Sequence, residues 1–224
     1  MVNSKEGSKK DEYETEIHKE GIMKDEMDIL KEVASVASAH GSSALSEILG
    51  RKITLKLPSI SSIDSDSLLE SKEANKLVLS VQCKILTGIE GKILFVLEDK
   101  SAYKLITLCY KDRKKDETSG FLTEVGMSVI KEVGNIVIGS YVGALSMLLK
   151  ALIVSSLPAL VSAPLYEVLN SAISFKEREY AILISAIFEE EHEEIRGKMY
   201  LILTEYGIKK IQEACKKVLD SLGK

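Results

Sequence analysis

Glu132 and Asn135 stand three residues apart in Ser128-x3-Glu132-x2-Asn135, and together they offer a carboxylate that can hold a cation and an amide that can hold a water. The amide has no usable pKa, so it is neither a general base nor an ordinary nucleophile. It donates and accepts hydrogen bonds at once. On a helix, residues at this spacing share a face with Cβ atoms about 5–6 Å apart. No Ser or Cys stands beside a base in a triad pattern, and His18, His40 and His192 are too dispersed for a metal site. One hundred residues earlier the same frame reads Asp28-x3-Glu32-x2-Ser35, and Pro58 follows Ser35 after the same 22 intervening residues that separate Asn135 from Pro158.

The elements that position these residues repeat with them. Residues 27–58 align without a gap on 127–158, matching Met27, Lys31, Glu32, Val33, Ala44, Leu45, Ser46, Leu49, Ile53, Leu57 and Pro58 with their counterparts. The first copy predicts a helix over 26–49, with Leu30, Ala34, Ala37 and Leu45 on its apolar side and Gly50 as its stop. A strand at Lys52 to Leu57, a short helix near Asp66 to Lys72 and strands at Lys76 to Ile85 and Lys92 to Leu97 follow. The turn signal between these strands is Thr87-Gly88-Ile89-Glu90-Gly91, and Asp99 or Ser101 can cap a further helix reaching Tyr110.

After a charged linker, Lys111 to Glu117, the order recurs. A long helix is expected over Leu122 to Leu149, a buried strand near Leu152 to Leu157, and a short helix at Tyr166 to Ala172. Strands at Glu179 to Phe188 and Ile195 to Thr204 and a closing helix from Ile208 to Leu222 complete the second half, in which Gly197-Lys198-Met-Tyr-Leu-Ile echoes Gly91-Lys92-Ile-Leu-Phe-Val. Hairpin-joined strands imply a largely antiparallel sheet whose apolar face helices must cover. The expected fold class is α+β: a duplicated unit with a pseudo-twofold axis, in which two long helices present the sites. The expected organisation is a charged tail over 1–25 and one domain over 26–224, made of repeats at about 26–115 and 118–224.

With Glu132 set at zero on a helix advancing about 100° per residue, Ser128, Asn135, Gly139, Gly143 and Ser146 fall between about −60° and +20°. Ile130, Val137, Tyr141 and Leu148 lie on the opposite side, toward the core. The first helix repeats the stripe with Asp28, Glu32, Ser35, Ala39, Ser43 and Ser46. A solvated face is usually filled with Lys, Glu and Arg. Each helix-interior Gly costs about 0.5–1 kcal/mol relative to Ala, so Gly139 and Gly143 suggest close approach to the backbone. Two arrangements provide that: a docked protein surface, or a second helix packed on the stripe. Survival of the Glu and the small residues in both copies favours docking.

The 224 residues carry a net charge of −4 with acids and bases interspersed, which announces no basic face for nucleic acid. The residues before 26 are dense in charge and too poor in apolar side chains to order themselves, so a solvated tail is expected there. They lack the apolar core of a signal peptide. Cys83, Cys109 and Cys215 are scattered, which argues against disulfides and zinc, and reads as buried thiols in a reducing compartment. The uncharged run from Val133 to Leu149 contains Asn135 and three glycines, and its duplicate is amphipathic. A buried helix followed by a buried strand suits both copies better than a membrane span.

The duplicated frame, Ser/Asp-x3-Glu-x2-Asn followed after 22 residues by Pro, resembles the CheC family of chemotaxis phosphatases, relatives of CheX and FliY. The resemblance covers residues 26 to 224. It implies a cytoplasmic protein that hydrolyses the aspartyl phosphate of the response regulator CheY. Glu132 would pair with the active-site lysine of CheY, and Asn135 would position the attacking water. Mg²⁺ would belong to CheY, and this chain would bind no cofactor. The chemistry suits the side chains, because phosphoryl transfer needs chiefly positioning and charge stabilisation.

The sequence departs from the family pattern at Ser35, where a complete first site has Asn. Glu32 and Ser35 are therefore expected to form a degenerate site, with Ser128, Gly139 and Gly143 as the docking stripe of the competent one. The principal alternative is a non-catalytic adaptor that binds CheY or the receptor deamidase CheD, or a flagellar-switch-like binding protein of the FliM kind. Retention of both Glu132 and Asn135 favours the enzyme.

Overall fold

The computed structural model describes residues 24–63, 73–109, 123–173, 181–192 and 194–222. The expected tail before Lys24, the short helix near Asp66 to Lys72 and the linker Lys111 to Glu117 lie outside the described residues. In chain order the elements are α1 (Lys24–Leu49), β1 (Thr54–Ile63), β2 (Leu77–Thr87), β3 (Gly91–Glu98), α2 (Asp99–Cys109) and α3 (Glu124–Leu148). There follow β4 (Val154–Ser155), β5 (Ala159–Pro164), α4 (Leu165–Ala172), β6 (Ala181–Glu190), β7 (Ile195–Leu203) and α5 (Glu205–Leu222).

The strands form one sheet in the order β1-β6-β7-β3-β2-β4, with β5 also paired to β2, and every described pairing is antiparallel. Each half lends its outer strand to the other: β1 pairs with β6, and β5 pairs with β2. At the centre β3 and β7 meet with Gly91 opposite Leu203, Leu97 opposite Gly197, and Leu94 opposite Tyr200. Gly91 and Gly197 occupy matching places in the two halves, so the pseudo-twofold axis passes by the Leu94–Tyr200 pair. The α+β architecture read from the sequence is the one observed.

Alternation along the strands divides the core into two layers. Leu79, Val81, Cys83 and Ile85 of β2 and Ile93, Phe95 and Leu97 of β3 face the layer formed by α1, α2, α3 and α5. Val78, Leu94, Val96, Leu183, Tyr200 and Ile202 face the other way, under Leu165, Val168, Leu169 and Ala172 of α4. Tyr141 of α3 is fully buried at the α1–α3 contact, and burial pushes its phenol above the ordinary range while the nearby Ser38 hydroxyl opposes the shift.

Helices α1 and α3 end alike. The Arg51 N–H donates to the Ser46 carbonyl at 3.2 Å and the Ala151 N–H to the Ser146 carbonyl at 3.1 Å. Between them lie Gly50 and Lys150, both left-handed, with φ of 59° and 47°. This is the Schellman arrangement, in which glycine is the usual occupant. At its start α3 is capped by Thr123, whose side chain accepts from the Gly126 N–H at 3.1 Å.

Three expectations are corrected. The strand expected to stop at Leu57 continues past Pro58, with β1 running to Ile63 and a register shift between Lys56 and Ser59, whereas in the second half β4 ends at Ser155 and β5 starts at Ala159, after the break that contains Pro158. Outer strands tolerate a missing N–H and accommodate such irregularities. The segment near Leu152 to Leu157 is not a buried strand, since only Val154–Ser155 pairs there and Leu157 is 90% exposed. Cys83 and Cys215 are buried, but Cys109 is exposed at the end of α2.

Candidate functional site

Ser128, Glu132, Asn135, Gly139 and Gly143 are all exposed along one face of α3. The opposite face carries Ile130, Val137 and Tyr141, which are buried, and packs on the sheet and on α1. Close packing on that side depends on Gly134. A Cβ placed there would lie 2.6 Å from the Cβ of Val81, so only glycine lets α3 approach β2 this closely.

At Gly139 and Gly143 an added Cβ meets nothing within 4 Å. The packed-helix arrangement is therefore absent among the described residues, and the small-residue stripe lies open. The α1–α3 contact runs elsewhere, with the Cβ position of Gly41 3.6 Å from Val137 Cγ1. Ser146 belongs to the fold rather than to the stripe: its hydroxyl accepts from the Ile153 N–H at 3.4 Å and donates to the Ala151 carbonyl. Ser46 does the corresponding work in the first half, accepting from the Ile53 N–H at 3.2 Å.

The two polar pairs differ in more than residue type. Among the described residues, neither Glu132 nor Asn135 has a hydrogen-bond or ion-pair partner, so the carboxylate and both ends of the amide face solvent. Glu32 is likewise exposed. Ser35 is only partly exposed, and its hydroxyl donates to the Lys31 carbonyl at 2.8 Å. Ser128 makes the same bond to the Glu124 carbonyl at 2.9 Å. The hydroxyls at 35 and 128 are thus folded back on their own helices, whereas the amide at 135 is free to bind.

The helical wheel read for the stripe and for the buried side missed three exposed apolar residues of α3. Val125, Ile136 and Met147 are 50%, 41% and 63% exposed. On the wheel they lie at about +20°, +40° and +60° from Glu132, flanking the stripe. Their spacing of eleven residues is a signal that the sequence carried.

Among the described residues there is no cluster of His, Cys, Asp and Glu able to hold a metal ion, and no helix long and apolar enough to cross a membrane.

The CheC-like family model matches residues 125–155, the span that holds the exposed pair and the turn after α3. The chain is 26% identical over 187 residues to the CheY-P phosphatase CheC of Bacillus subtilis (strain 168), covering 81% of this chain and 90% of that protein. In fold it is similar to FliY of Thermotoga maritima, with a TM-score of 0.71 and 21% identity over 88% of this chain and 98% of that one. It is also similar to the FliM middle domain from H. pylori, with a TM-score of 0.62 and 13% identity over 86% and 99%. Sequence and fold together support the resemblance to the CheC family.

Proposed function

We propose that this CheC-like protein is a phosphatase that hydrolyses the aspartyl phosphate of the response regulator CheY at the α3 face. The observation that carries the reading is the open, unpartnered pair Glu132 and Asn135 on a helix face cleared of bulky side chains. Similarity to a protein named CheY-P phosphatase supports it.

In this reading Glu132 engages the lysine of the receiver active site, and the stripe lets the receiver surface approach the α3 backbone. The Asn135 amide then enters the phosphorylated site. Its oxygen accepts a hydrogen bond from a water and holds that water in line with the phosphorus. Attack forms a bond from the water oxygen to phosphorus and breaks the bond from phosphorus to the aspartyl oxygen. The products are the free carboxylate and inorganic phosphate, which takes up a water proton. Because the acyl phosphate is already activated, fixed geometry is the main requirement. Mg²⁺ stays with CheY and screens the phosphoryl charge.

The Glu32 and Ser35 copy is read as a silent site. The Ser35 hydroxyl is shorter than an amide and its proton is committed to the Lys31 carbonyl. Phosphate release from phosphorylated CheY with Mg²⁺ tests both statements. Asn135→Ala is expected to reduce release to the spontaneous rate, while Ser35→Ala leaves it unchanged. Equal loss in the two variants overturns the one-site reading. Spontaneous decay with the wild-type chain, together with measurable CheY or CheD binding, favours the adaptor.

A further inference from the structure

Val125, Ile136 and Met147 lie one behind another on α3, eleven residues apart, beside the Glu132–Asn135 pair and exposed. Single exposed apolar residues are ordinary on a protein surface. Leu77, Tyr103 and Tyr206 are of that kind, each on a different element. The α3 residues instead form a line about 33 Å long at about 1.5 Å per residue. A standard protein–protein interface covers about 800 Å² per partner, which is about 32 Å across if round. The line therefore spans the footprint of one protein partner, centred on Ile136 next to Asn135.

The pseudo-symmetric face of α1 differs at these positions. There the counterparts of Val125, Ile136 and Met147 are Asp25, Val36 and Glu47. Charges have replaced apolar side chains at the two ends of the line, and Glu47 is exposed. Where the catalytic amide is absent, the apolar line is absent too.

We infer that Val125, Ile136 and Met147 form an apolar rim that seats the receiver domain on α3 and restricts docking to this end, giving one receiver per chain. The inference rests on the phosphatase reading for the identity of the partner. A receiver whose phosphorylated side chain reaches Asn135, with a footprint about 32 Å across, covers Ile136 and extends to Val125 and Met147, which lie about 15 and 18 Å along the helix axis from Asn135. Their burial supplies affinity, while the polar pair supplies chemistry.

The test exchanges the line for its counterpart in the double variant Val125→Asp/Met147→Glu. Titration calorimetry with CheY and phosphate release under Mg²⁺ are the measurements. The expected result is one CheY per wild-type chain and, in the variant, roughly a tenfold or greater rise in both Kd and KM. The kcat should stay within about twofold of wild type, with thermal unfolding unchanged. Unchanged Kd and KM overturn the rim and leave the phosphatase reading standing. Rim-dependent CheY binding without hydrolysis supports the rim and overturns the phosphatase reading. A wild-type dimer that the variant dissociates, with CheY binding unaffected, identifies a second copy as the occupant and overturns the inference.

Discussion

The Ser35 hydroxyl donates to the Lys31 carbonyl one helical turn earlier, at 2.8 Å, and so commits its only proton to the backbone. Asn135, at the matching place on α3, is exposed and unpartnered among the described residues. Restoring the amide should therefore restore chemistry. In an Asn135→Ala background, Ser35→Asn is expected to return hydrolysis with a KM well above wild type, because Glu47 stands where α3 has Met147. Adding Glu47→Met should lower that KM. Phosphate release over a range of CheY-P concentrations reads both changes.

Gly139 and Gly143 should show opposite signs in stability and activity. With open space around both, each Gly→Ala change is expected to stabilise the isolated protein by about 0.5–1 kcal/mol through helix propensity alone. For a chain of this size that corresponds to roughly 1–4 °C in Tm. The same methyl groups obstruct close approach of a docked surface, so KM should rise. Calorimetry and kinetics on the same samples provide the comparison, and a rise in Tm with unchanged KM would remove the two glycines from the interface.

Gly134 should behave in the reverse way. Its added Cβ would stand 2.6 Å from the Cβ of Val81, so Gly134→Ala is expected to destabilise by about 1–3 kcal/mol despite alanine's better helix propensity. Combining it with Val81→Ala should recover part of the loss. Denaturant unfolding of the two single variants and the double variant measures the coupling.

Lys150 adopts a φ of 47° where the first half has Gly50 at 59°. A non-glycine residue in this region carries strain of about 1–2 kcal/mol, partly offset because it loses less chain entropy on folding. Lys150→Gly is expected to stabilise by about 0.5–1 kcal/mol, visible as a shift in denaturant midpoint at constant slope.

Much of the fold was legible because its signals are local. The strand-like runs at Lys76 to Ile85 and Lys92 to Leu97 marked β2 and β3, and the 3.6-residue spacing of Ile130, Val137 and Tyr141 marked the buried side of α3. The internal match of residues 27–58 to 127–158 indicated a symmetric arrangement before any contact was known. The expected stop at Leu57 misled, since Pro58 lies within β1, an outer strand that tolerates a missing N–H, whereas Pro158 does fall in a break between β4 and β5; strand position in a sheet is a long-range property. Ser146 misled similarly: its wheel angle placed it on the stripe, while its hydroxyl serves the turn at Ala151 and Ile153.

By itself, the sequence determined which residues share a face, because helix and strand periods follow from backbone geometry. It thereby brought Glu132, Asn135, Gly139 and Gly143 together and set Ser35 apart. Only the tertiary structure decided what stands opposite each face. The glycine stripe lies open while Gly134 is pressed against Val81, a distinction that no periodicity contains because it depends on β2, some fifty residues away in the chain.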